Sequence, residues 1–300
     1  LEKNITLYDH EVLTNTQGVR LVAFGRYAGI VGAYNAFRAY GLKMQTYSIP
    51  KASELNNLQD LIDTLKKLSL PALKIVLTGK GRVGKGAYEI LKGMGLKEVG
   101  VAAFLDQKFD QAVFVQIHVA DYNQPKDGSD FHKANFYKNP KTYKSNFIRF
   151  AKQADIYIAG HFYADGAPYL FTRQDAKQAD FNIKVVADIS CDIDGPVATT
   201  IRPSTIEDPI YGYNPQTESE VDFKDDNAIV VMAVDNLPCE LPKDASEGFG
   251  ILFLEQVIPA FFNGDKEGIL ERAKMTKNGK LTPRFAYLQD YVDGKLLQKA

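Results

Sequence analysis

The apolar residues of this chain fall into short runs separated by longer polar stretches, a pattern that predicts strands alternating with helices. Short runs of apolar, often β-branched residues between polar or glycine residues are typical of buried strands. Such runs lie at 74–78, 112–119, 155–159, 183–189 and 228–234. Because they are apolar throughout, they favour a parallel sheet that helices cover on both faces. The predicted fold class is therefore α/β, with a doubly wound parallel sheet and flanking helices.

The stretches between these runs carry apolar residues at helical spacing. Between residues 27 and 40, small residues recur three or four positions apart at Gly29, Gly32 and Ala36, which gives a smooth face for close packing. Gly41 is expected to end this helix. Other helices are predicted at 52–68, 87–95, 147–154, 254–262 and 267–274, with a helical turn at 175–179.

Two further short strands are predicted near the start of the chain, at 5–9 and 19–24, joined by a turn. The chain does not begin with methionine, and its first strand already resembles the interior of a domain, so we expect a fragment that has lost an upstream domain. Residues 121–146 are polar and aromatic, and we expect a loop that is unusually long for a strand-to-helix connection.

Composition and charge narrow the functional classes. Hydrophobic residues make up 45% of the chain and charged residues 24%, and the formal net charge is −1, so the basic surface that nucleic acids require is not indicated. The longest small and apolar stretch, Tyr27 to Phe37, is too short to span a bilayer, so no membrane partner is expected. The two cysteines, Cys191 and Cys239, are too few for a disulfide framework and favour a reduced, cytoplasmic setting.

Three glycines between the first of these strands and the next helix carry the strongest chemical signal. Gly79, Gly81 and Gly84 stand in the spacing G-x-G-x-x-G, with Arg82 and Val83 inside the motif. In a Rossmann-like site they would allow a tight turn, a close approach of the backbone to a pyrophosphate, and close packing of helix on strand. An ordinary strand-to-helix turn is the alternative, but the context favours a site for NAD or NADP.

A carboxylate that binds the ribose hydroxyls is expected about 20 residues after the glycines. Asp106 fits that spacing but lies in a stretch that is less strand-like. Asp121 follows the strand predicted at 112–119 but lies well beyond the usual distance. We take Asp121 as the first candidate and Asp106 as the second, and a solvated loop carboxylate is the alternative for both.

Ligands of a doubly wound sheet bind beyond the carboxyl ends of its strands, which singles out the polar residues there. His161 follows the strand before it and would flank the nicotinamide half of the cofactor, although a lone histidine is more often structural. Asp188, Asp192 and Asp194 end or follow the next strand. Their spacing does not match a calcium loop and no metal is predicted, while contact of Asp188 with the cofactor and capping of backbone amides both remain open.

Asp235, Asn236 and Leu237 follow the last predicted strand. By the same rule on strand ends, Asp235 is the best candidate for a catalytic residue, and Asn236 and Leu237 are candidates for cofactor contact.

Taken in order, several stretches resemble the lysine-forming saccharopine dehydrogenases, most closely the lysine–oxoglutarate reductase part of bifunctional enzymes. The wider family includes alanine dehydrogenase and the soluble part of nicotinamide nucleotide transhydrogenase. The aspartate-rich segment Val186–Gly195 and the segment Val234–Pro238 are the specific ones. The others are 7–9, 24–29, the glycine turn, 241–246 and 279–283.

The resemblance implies two Rossmann-like domains with the active site in the cleft between them. It divides the chain into 1–25, the tail of a truncated N-terminal substrate domain, 26–240, the dinucleotide-binding domain, and 241–300, a helical segment returning to the first domain. Family members take a lysine and a histidine for acid–base chemistry from an N-terminal segment that no part of this chain matches. The resemblance places Asp235 beside the nicotinamide and the substrate amine, and Arg20 at a basic position near the cofactor.

The implied reaction acts on a carbon–nitrogen bond and joins lysine and 2-oxoglutarate into saccharopine, or reverses that step. The choice between NAD and NADP stays open, because Lys80 and Arg82 could favour a 2′-phosphate or point to solvent. The oligomeric state stays open as well. Two alternatives remain, an enzyme like alanine dehydrogenase that uses ammonia and pyruvate, and a nicotinamide-nucleotide-binding protein without catalytic activity.

Overall fold

A computed structural model describes residues 1–164 and 166–295 of the chain. The backbone forms two compact units. The larger unit is Gly25–Ala245, and the smaller one joins Leu1–Phe24 to the chain after Ala245. The predicted domain boundaries at 25/26 and 240/241 stay a prediction, since compactness alone does not show independent folding.

The larger unit is built on an eight-stranded sheet in the order β2-β3-β1-β6-β7-β10-β8-β9, with β4 and β5 forming a separate hairpin. The strands are β1 Lys74–Thr78, β2 Lys97–Glu98, β3 Val113–Ile117, β4 Asn123–Pro125, β5 Tyr143–Ser145, β6 Ile156–Ala159, β7 Val185–Asp188, β8 Ile210–Asn214, β9 Ser219–Val221 and β10 Ile229–Met232. Neighbours from β2 to β10 pair in parallel, whereas β8 and β9 are antiparallel.

Helices precede, connect and follow these strands. They are α1 Gly25–Met44, α2 Leu58–Lys66, α3 Arg82–Gly93, α4 Val101–Asp106, α5 Val119–Tyr122, α6 Lys133–Lys138, α7 Ile148–Ala151, α8 Arg173–Ala176 and α9 Pro242–Leu252. The last of these crosses into the smaller unit, which also holds α10 Ile258–Phe262, α11 Ile269–Ala273, α12 Gln289–Val292 and the hairpin strands β11 Thr276–Lys277 and β12 Lys280–Leu281.

Both faces of the large sheet are buried. Along β1, Ile75 and Leu77 join the apolar cluster that contains α1 and α3, while Val76 joins the cluster on the opposite face. This alternation follows from the two-residue period of a strand and explains why the strands are apolar throughout. The predicted α/β class with a Rossmann-like, mainly parallel sheet is confirmed.

The chain order of the strands reverses beside β1. Numbered in chain order, the five longer parallel strands lie 2-1-3-4-5, with β3 on one side of β1 and β6 on the other. In such sheets the crevice at the reversal point, outside the carboxyl ends of the strands, is where ligands bind. From the fold alone, we therefore expect the residues that follow β1, β3 and β6 to bind the ligand.

Glycines bring α1 and α3 into backbone contact. A Cβ atom on Gly29 would lie 2.0 Å from the carbonyl oxygen of Val83, and one on Gly86 would lie 1.9 Å from that of Arg26. Gly29 thus packs on the helix that begins at the glycine turn, whereas Gly32 faces the side chains of Ile189 and Leu237. This packing fixes the position of that helix N-terminus relative to the sheet.

Several predicted elements differ from the structure. The helix predicted to end at Gly41 runs on to Met44, with Gly41 packed against the ring of Tyr47. The strands predicted at 5–9 and 19–24 are wrong, because only the isolated bridges Tyr8–Lys274 and Thr14–Arg20 form there.

The long loop predicted at 121–146 contains the β4–β5 hairpin and α6. Strands β8 and β9 were not predicted, because β8 is interrupted by Gly212 and β9 is a short, mainly polar segment.

The smaller unit has its own apolar cluster. Leu13 and Val22 from the start of the chain pack with Val257, Leu270 and Ala273 from its later part. The guanidinium of Arg272 also donates to Thr14, at 2.5 Å to the carbonyl oxygen and 3.2 Å to Oγ1. These contacts show why the two distant segments form one unit.

One helix in the described part of the chain, Pro242–Phe262, is long and apolar enough to cross a membrane by length and composition alone. Its most apolar window has a mean hydropathy of 1.2 and is 17% buried. A single helix of this kind is weak support for a membrane span.

Candidate functional site

A cleft of about 400 Å³ lies at the reversal point of the larger unit. Residues that follow three neighbouring strands line it, together with two residues of α6. They are Gly79–Val83 after β1, His118, Val119 and Tyr122 after β3, Gly160–Phe162 after β6, and Lys133 and Tyr137 on α6.

The three motif glycines have three different geometries. Gly79 has a φ of +90°, and a Cβ there would lie 2.4 Å from the carbonyl oxygen of Gly160. A Cβ on Gly84 would lie 2.1 Å from the carbonyl oxygen of Gly79, whereas one on Gly81 would meet nothing within 4 Å. The first and third glycines therefore shape the turn, and the second leaves open space beside the backbone.

The N-terminus of α3 opens towards this space. Gly81 is its N-cap residue, no side chain caps the helix, and no acidic residue lies in its first turn. The first N–H groups of a helix have no partner within the helix and carry partial positive charge. This end of α3 is therefore suited to bind an anion.

His161 is buried at the floor of the cleft. Its Nδ1 lies 3.0 Å from Oγ1 of Thr78, and its Nε2 is buried without a hydrogen-bond partner among the described residues. Burial lowers the pKa of His161 from 6.5 to about 4, so the ring is neutral at pH 7. A buried ring nitrogen without a partner in the protein is a specific place for a ligand to bond.

The charged groups that line the cleft are basic. They are Lys80, Arg82 and Lys133, with His118 beside them, and no carboxylate of the described residues lines the cleft. Partial burial, and then the positive charges of Lys133 and Lys80, lower the pKa of His118.

Neither candidate for the ribose carboxylate lines the cleft. Asp121 lies in α5, and its Oδ2 accepts a hydrogen bond of 2.6 Å from the backbone N–H of His118. Asp106 ends α4 near Lys74, the first residue of β1, which is at the opposite end of that strand. Cofactor contact by Asp121 stays a prediction, while the role visible in the structure is a helix cap.

Asp188 lies at the end of β7 and is fully buried. Its carboxylate accepts hydrogen bonds from the backbone and hydroxyl of Ser190, at 3.1 and 2.6 Å, and from the hydroxyl of Thr200 at 2.7 Å. Burial raises its pKa. These contacts fix the loop after β7, and a direct contact with a cofactor stays a prediction.

The other two aspartates of this loop are exposed. Asp194 pairs with Arg173 at 2.6 Å, while Cys191 donates through its thiol to the carbonyl oxygen of Ala233 at 2.9 Å. Burial raises the pKa of Cys191 to about 11, which keeps the thiol protonated at pH 7. In the part of the chain that the structure describes, no group of three or more His, Cys, Asp or Glu side chains could hold a metal ion.

Asp235 and Asn236 are exposed at the carboxyl end of β10, and Leu237 is buried in the core. Strand β10 lies three positions from β1 in the sheet, about 14 Å away at the usual strand spacing. Asp235 therefore shares the edge of the sheet with the cleft but does not line it. Its catalytic role stays a prediction.

Arg20 lies in the smaller unit, 3.4 Å from Glu11. Its predicted position near the cofactor is not tested by the geometry of the cleft.

Sequence reasoning missed His118 and Lys133. His118 is the first residue after β3, but the predicted strand ran to 119 and so hid it. Lys133 comes from the segment predicted as a loop, and only the tertiary fold brings it to the cleft.

The chain is similar to several known proteins. It is 26% identical to the alpha-aminoadipic semialdehyde synthase of Arabidopsis thaliana, over 96% of this chain and 31% of that protein. The mitochondrial enzyme of that name from Mus musculus is 25% identical over 96% of this chain and 36% of its own length. The chain thus spans about a third of the length of these relatives.

A shorter relative is similar to this chain in sequence, and a solved structure is similar to it in fold. The saccharopine dehydrogenase [NAD(+), L-lysine-forming] of Yarrowia lipolytica is 24% identical over 85% of this chain and 62% of its own length. An L-alanine dehydrogenase structure superposes with a TM-score of 0.54 at 16% identity, covering 97% of this chain and 69% of its own, which shows the fold.

The resemblance predicted from the ordered motifs is confirmed by these relatives and by a family model. The model, described as the C-terminal domain of alanine dehydrogenase/PNT, matches residues 22–282. The match covers most of the chain, which therefore belongs to the alanine dehydrogenase/PNT C-terminal domain family.

Proposed function

We propose that this chain binds a nicotinamide adenine dinucleotide, NAD or NADP, as part of an oxidoreductase that interconverts saccharopine with lysine and 2-oxoglutarate. The observation that carries the proposal is the glycine turn at the reversal point, where the uncapped N-terminus of α3 opens into the cleft. The name of the Yarrowia lipolytica relative supplies saccharopine and lysine, and the resemblance of the ordered motifs supplies 2-oxoglutarate.

The cleft residues fit such a cofactor on two structural grounds. The open space at Gly81 is a cradle that a side chain would fill, and the Nε2 of His161 is a buried polar atom without a partner among the described residues. The turn from Gly79 to Gly81 and the first N–H groups of α3 would hold the pyrophosphate. His161 would bond the part of the cofactor that crosses from β1 towards β6.

Each group would then have a defined task. A bound nicotinamide supplies or accepts the hydride at the carbon of the carbon–nitrogen bond. Asp235, exposed at the same edge of the sheet, would hold the substrate amine and exchange a proton with it. Asn236 beside it, with Arg20, remains a proposed cofactor contact, and the buried Leu237 would support that turn from below.

The test is a binding measurement followed by a turnover measurement. Calorimetric titration of the 300-residue chain with NADH and NADPH should show binding of at least one, and failure of both to bind would refute the proposal. The resemblance implies that the acid–base lysine and histidine come from a segment that no part of this chain matches, so turnover is measured after such a segment from a family member is joined to the chain. Absorbance of the reduced cofactor should then fall with lysine plus 2-oxoglutarate. Oxidation only with ammonia plus pyruvate would instead favour an enzyme like alanine dehydrogenase, and binding without turnover would favour a non-catalytic binding protein.

The partners and the cellular location are proposals as well. Small-molecule partners follow from the proposed reaction. The cytoplasmic setting rests on the two cysteines, both of which are free in the structure, while the mouse relative is named as mitochondrial.

A further inference from the structure

The long segment 121–146 has no role in the proposed function, except where α6 reaches the cleft. Connections of this length are usually either functional or disordered. This one is ordered, since it contains the β4–β5 hairpin and α6. It is also tied to the rest of the larger unit, because the hydroxyl of Ser145 donates to the carbonyl oxygen of Leu170 at 2.6 Å. The order of this segment therefore calls for a function of its own.

Three aromatic rings make the segment rigid. The rings of Phe131, Phe136 and Tyr143 contact one another, with centroids 5.7, 5.4 and 5.1 Å apart. Phe136 and Tyr143 are buried in the apolar cluster on one face of the large sheet. The hydroxyl of Tyr143 accepts a hydrogen bond from Nδ2 of Asn135 at 3.1 Å and donates to the carbonyl oxygen of His132 at 3.3 Å. Side chains on the other side of the hairpin are thus held at fixed separations.

Lysines occupy that outer side of the hairpin. Pro125 lies opposite Tyr143 in the register, and both are buried. Because side chains alternate along a strand, the next residue after each of them, Lys126 and Lys144, lies on the exposed side. Lys141 is adjacent, since Nζ of Lys126 donates to its carbonyl oxygen at 2.8 Å. We call these three exposed residues, Lys126, Lys141 and Lys144, the lysine face.

The lysine face borders the most basic stretch of the chain. Residues 131–152 contain six lysine and arginine residues and no Asp or Glu. Since the whole chain has a formal net charge of −1, the rest of it carries −7. Some of the six cations are already used, as Lys152 pairs with Asp180 at 2.7 Å. Among residues 1–164 and 166–295, the lysine face has no ion-pair partner.

We propose that the lysine face docks a short acidic segment of another protein. Each exposed ammonium group would pair with one carboxylate of the partner, and such pairs give steering and specificity more than strong affinity. The rigid hairpin fixes the spacing of the charges before the partner arrives, which lowers the cost of ordering on binding. The inference is independent of the proposed function.

The surrounding charge disfavours an extended anion as the partner. A nucleic acid or a lipid bilayer would come within a Debye length, about 8 Å, of much more of the chain, whose charge outside 131–152 is negative. Asp127, exposed next to Lys126, adds to that repulsion. Strands β4 and β5 also expose no large apolar side chain that could enter a bilayer. A short acidic segment can meet the lysine face alone.

The test titrates the 15N-labelled 300-residue chain with an octapeptide of glutamate and follows the amide chemical shifts by NMR. The peptide should bind at low ionic strength with a dissociation constant below about 1 mM, and the shifts should concentrate at 124–126 and 141–145. Binding should disappear at about 0.5 M salt, where exposed charges are screened. Absence of binding, or shifts spread over every lysine-bearing surface, would overturn the proposal.

A matched pair of double variants locates the binding. Lys126→Gln with Lys144→Gln should weaken the peptide at least about fivefold. Lys92→Gln with Lys97→Gln removes the same charge from exposed positions in α3 and β2 and should leave the affinity unchanged. Equal losses in both would show general attraction to positive charge and refute the assignment. Thermal unfolding checks that both are folded, and the shift map of the unmodified chain decides the matter independently of them.

Two further probes decide the class of partner. An octamer of thymidylate and vesicles of phosphatidylcholine with phosphatidylserine replace the peptide in the same titration. Weaker binding of both than of the peptide supports a protein segment. Tighter binding of either one, lost in the variant of Lys126 and Lys144, would assign the lysine face to a phosphate-bearing partner and overturn the proposal.

Discussion

Two groups of loops at the carboxyl ends of the parallel strands differ in their charge and in their hydrogen bonding. At the end bounded by β1, β3 and β6, the charged groups are basic, and they line an open cleft. At the end formed by β7 and β10, the charged groups are aspartates, and the buried one, Asp188, is saturated by Ser190 and Thr200. A polar residue at a strand end is therefore a candidate for ligand contact only when its own loop has not already used its hydrogen-bonding groups.

The largest expected effect is on stability, and it comes from the glycine turn after β1. Gly84→Ala places a methyl group 2.1 Å from the carbonyl oxygen of Gly79, so the turn must shift and the free energy of unfolding should fall by about 3 kcal/mol. Urea unfolding measures this loss. Gly81→Ala is the matched control, because its methyl meets nothing within 4 Å.

That control should change stability by less than about 1 kcal/mol. It should nevertheless weaken dinucleotide binding by about tenfold, since the methyl occupies the space proposed for the pyrophosphate. Equal stability losses in the two variants would contradict the different roles of the two glycines.

The second prediction addresses the acidic end. Asp235→Asn should lower the rate of turnover by about 100-fold, since it removes the only group there proposed to exchange a proton. Its stability should be unchanged, because Asp235 is exposed. Asp226→Asn removes an exposed carboxylate before the opposite end of the same strand and should retain full activity. Steady-state kinetics with the lysine pair distinguishes the two.

The third prediction uses the buried histidine of the cleft end. The pKa of His161 is about 4 in the folded state against an ordinary 6.5, so the folded protein binds fewer protons than the unfolded one between these values. The stabilisation is complete above pH 6.5 and is lost as the pH falls towards 4. Between pH 7 and pH 5 this group alone should remove about 2 kcal/mol from the free energy of unfolding.

His161→Asn should lose that part of the pH dependence, whatever its stability at pH 7. The exposed His132 provides the control, and His132→Asn should keep the dependence of the unmodified chain. Urea unfolding at the two pH values gives the comparison, and an identical pH dependence in both variants would contradict the neutral, buried state of His161.

The smallest expected effect concerns Asp121, the carboxylate in α5 directly after β3. Asp121→Ala should cost about 1 kcal/mol of stability, because the backbone N–H of His118 loses its cap. NADH and NADPH affinities should change less than twofold. A tenfold loss of NADH affinity in this variant, with Asp130→Ala unchanged, would instead assign Asp121 to the ribose as the sequence first predicted.

Local signals were enough to predict part of this architecture. Strand β1 and the conformations required of Gly79 and Gly84 follow from residues adjacent in sequence, so they were predicted at the correct positions. His118 was missed because its role depends on the strand ending at Ile117, two residues before the apolar run ends.

Long-range contacts account for the other errors. Lys133 reaches the cleft through the path of a segment whose sequence has no clear periodicity. The apolar run at 19–24 looked like a strand, but Val22 is buried against side chains of the smaller unit and has no neighbouring strand to pair with.

The edges of the large sheet have a consequence for how copies of this chain meet. One edge is the two-residue strand β2, both of whose residues are charged and exposed, and the other is β9, where Glu220 is held by Arg202 at 2.6 Å. Unpaired backbone groups on a long, apolar edge strand recruit strands from other molecules and start aggregation. Short, charged borders oppose that growth, so the parallel strands at the centre can remain strongly apolar without making the folded chain a template for fibrils.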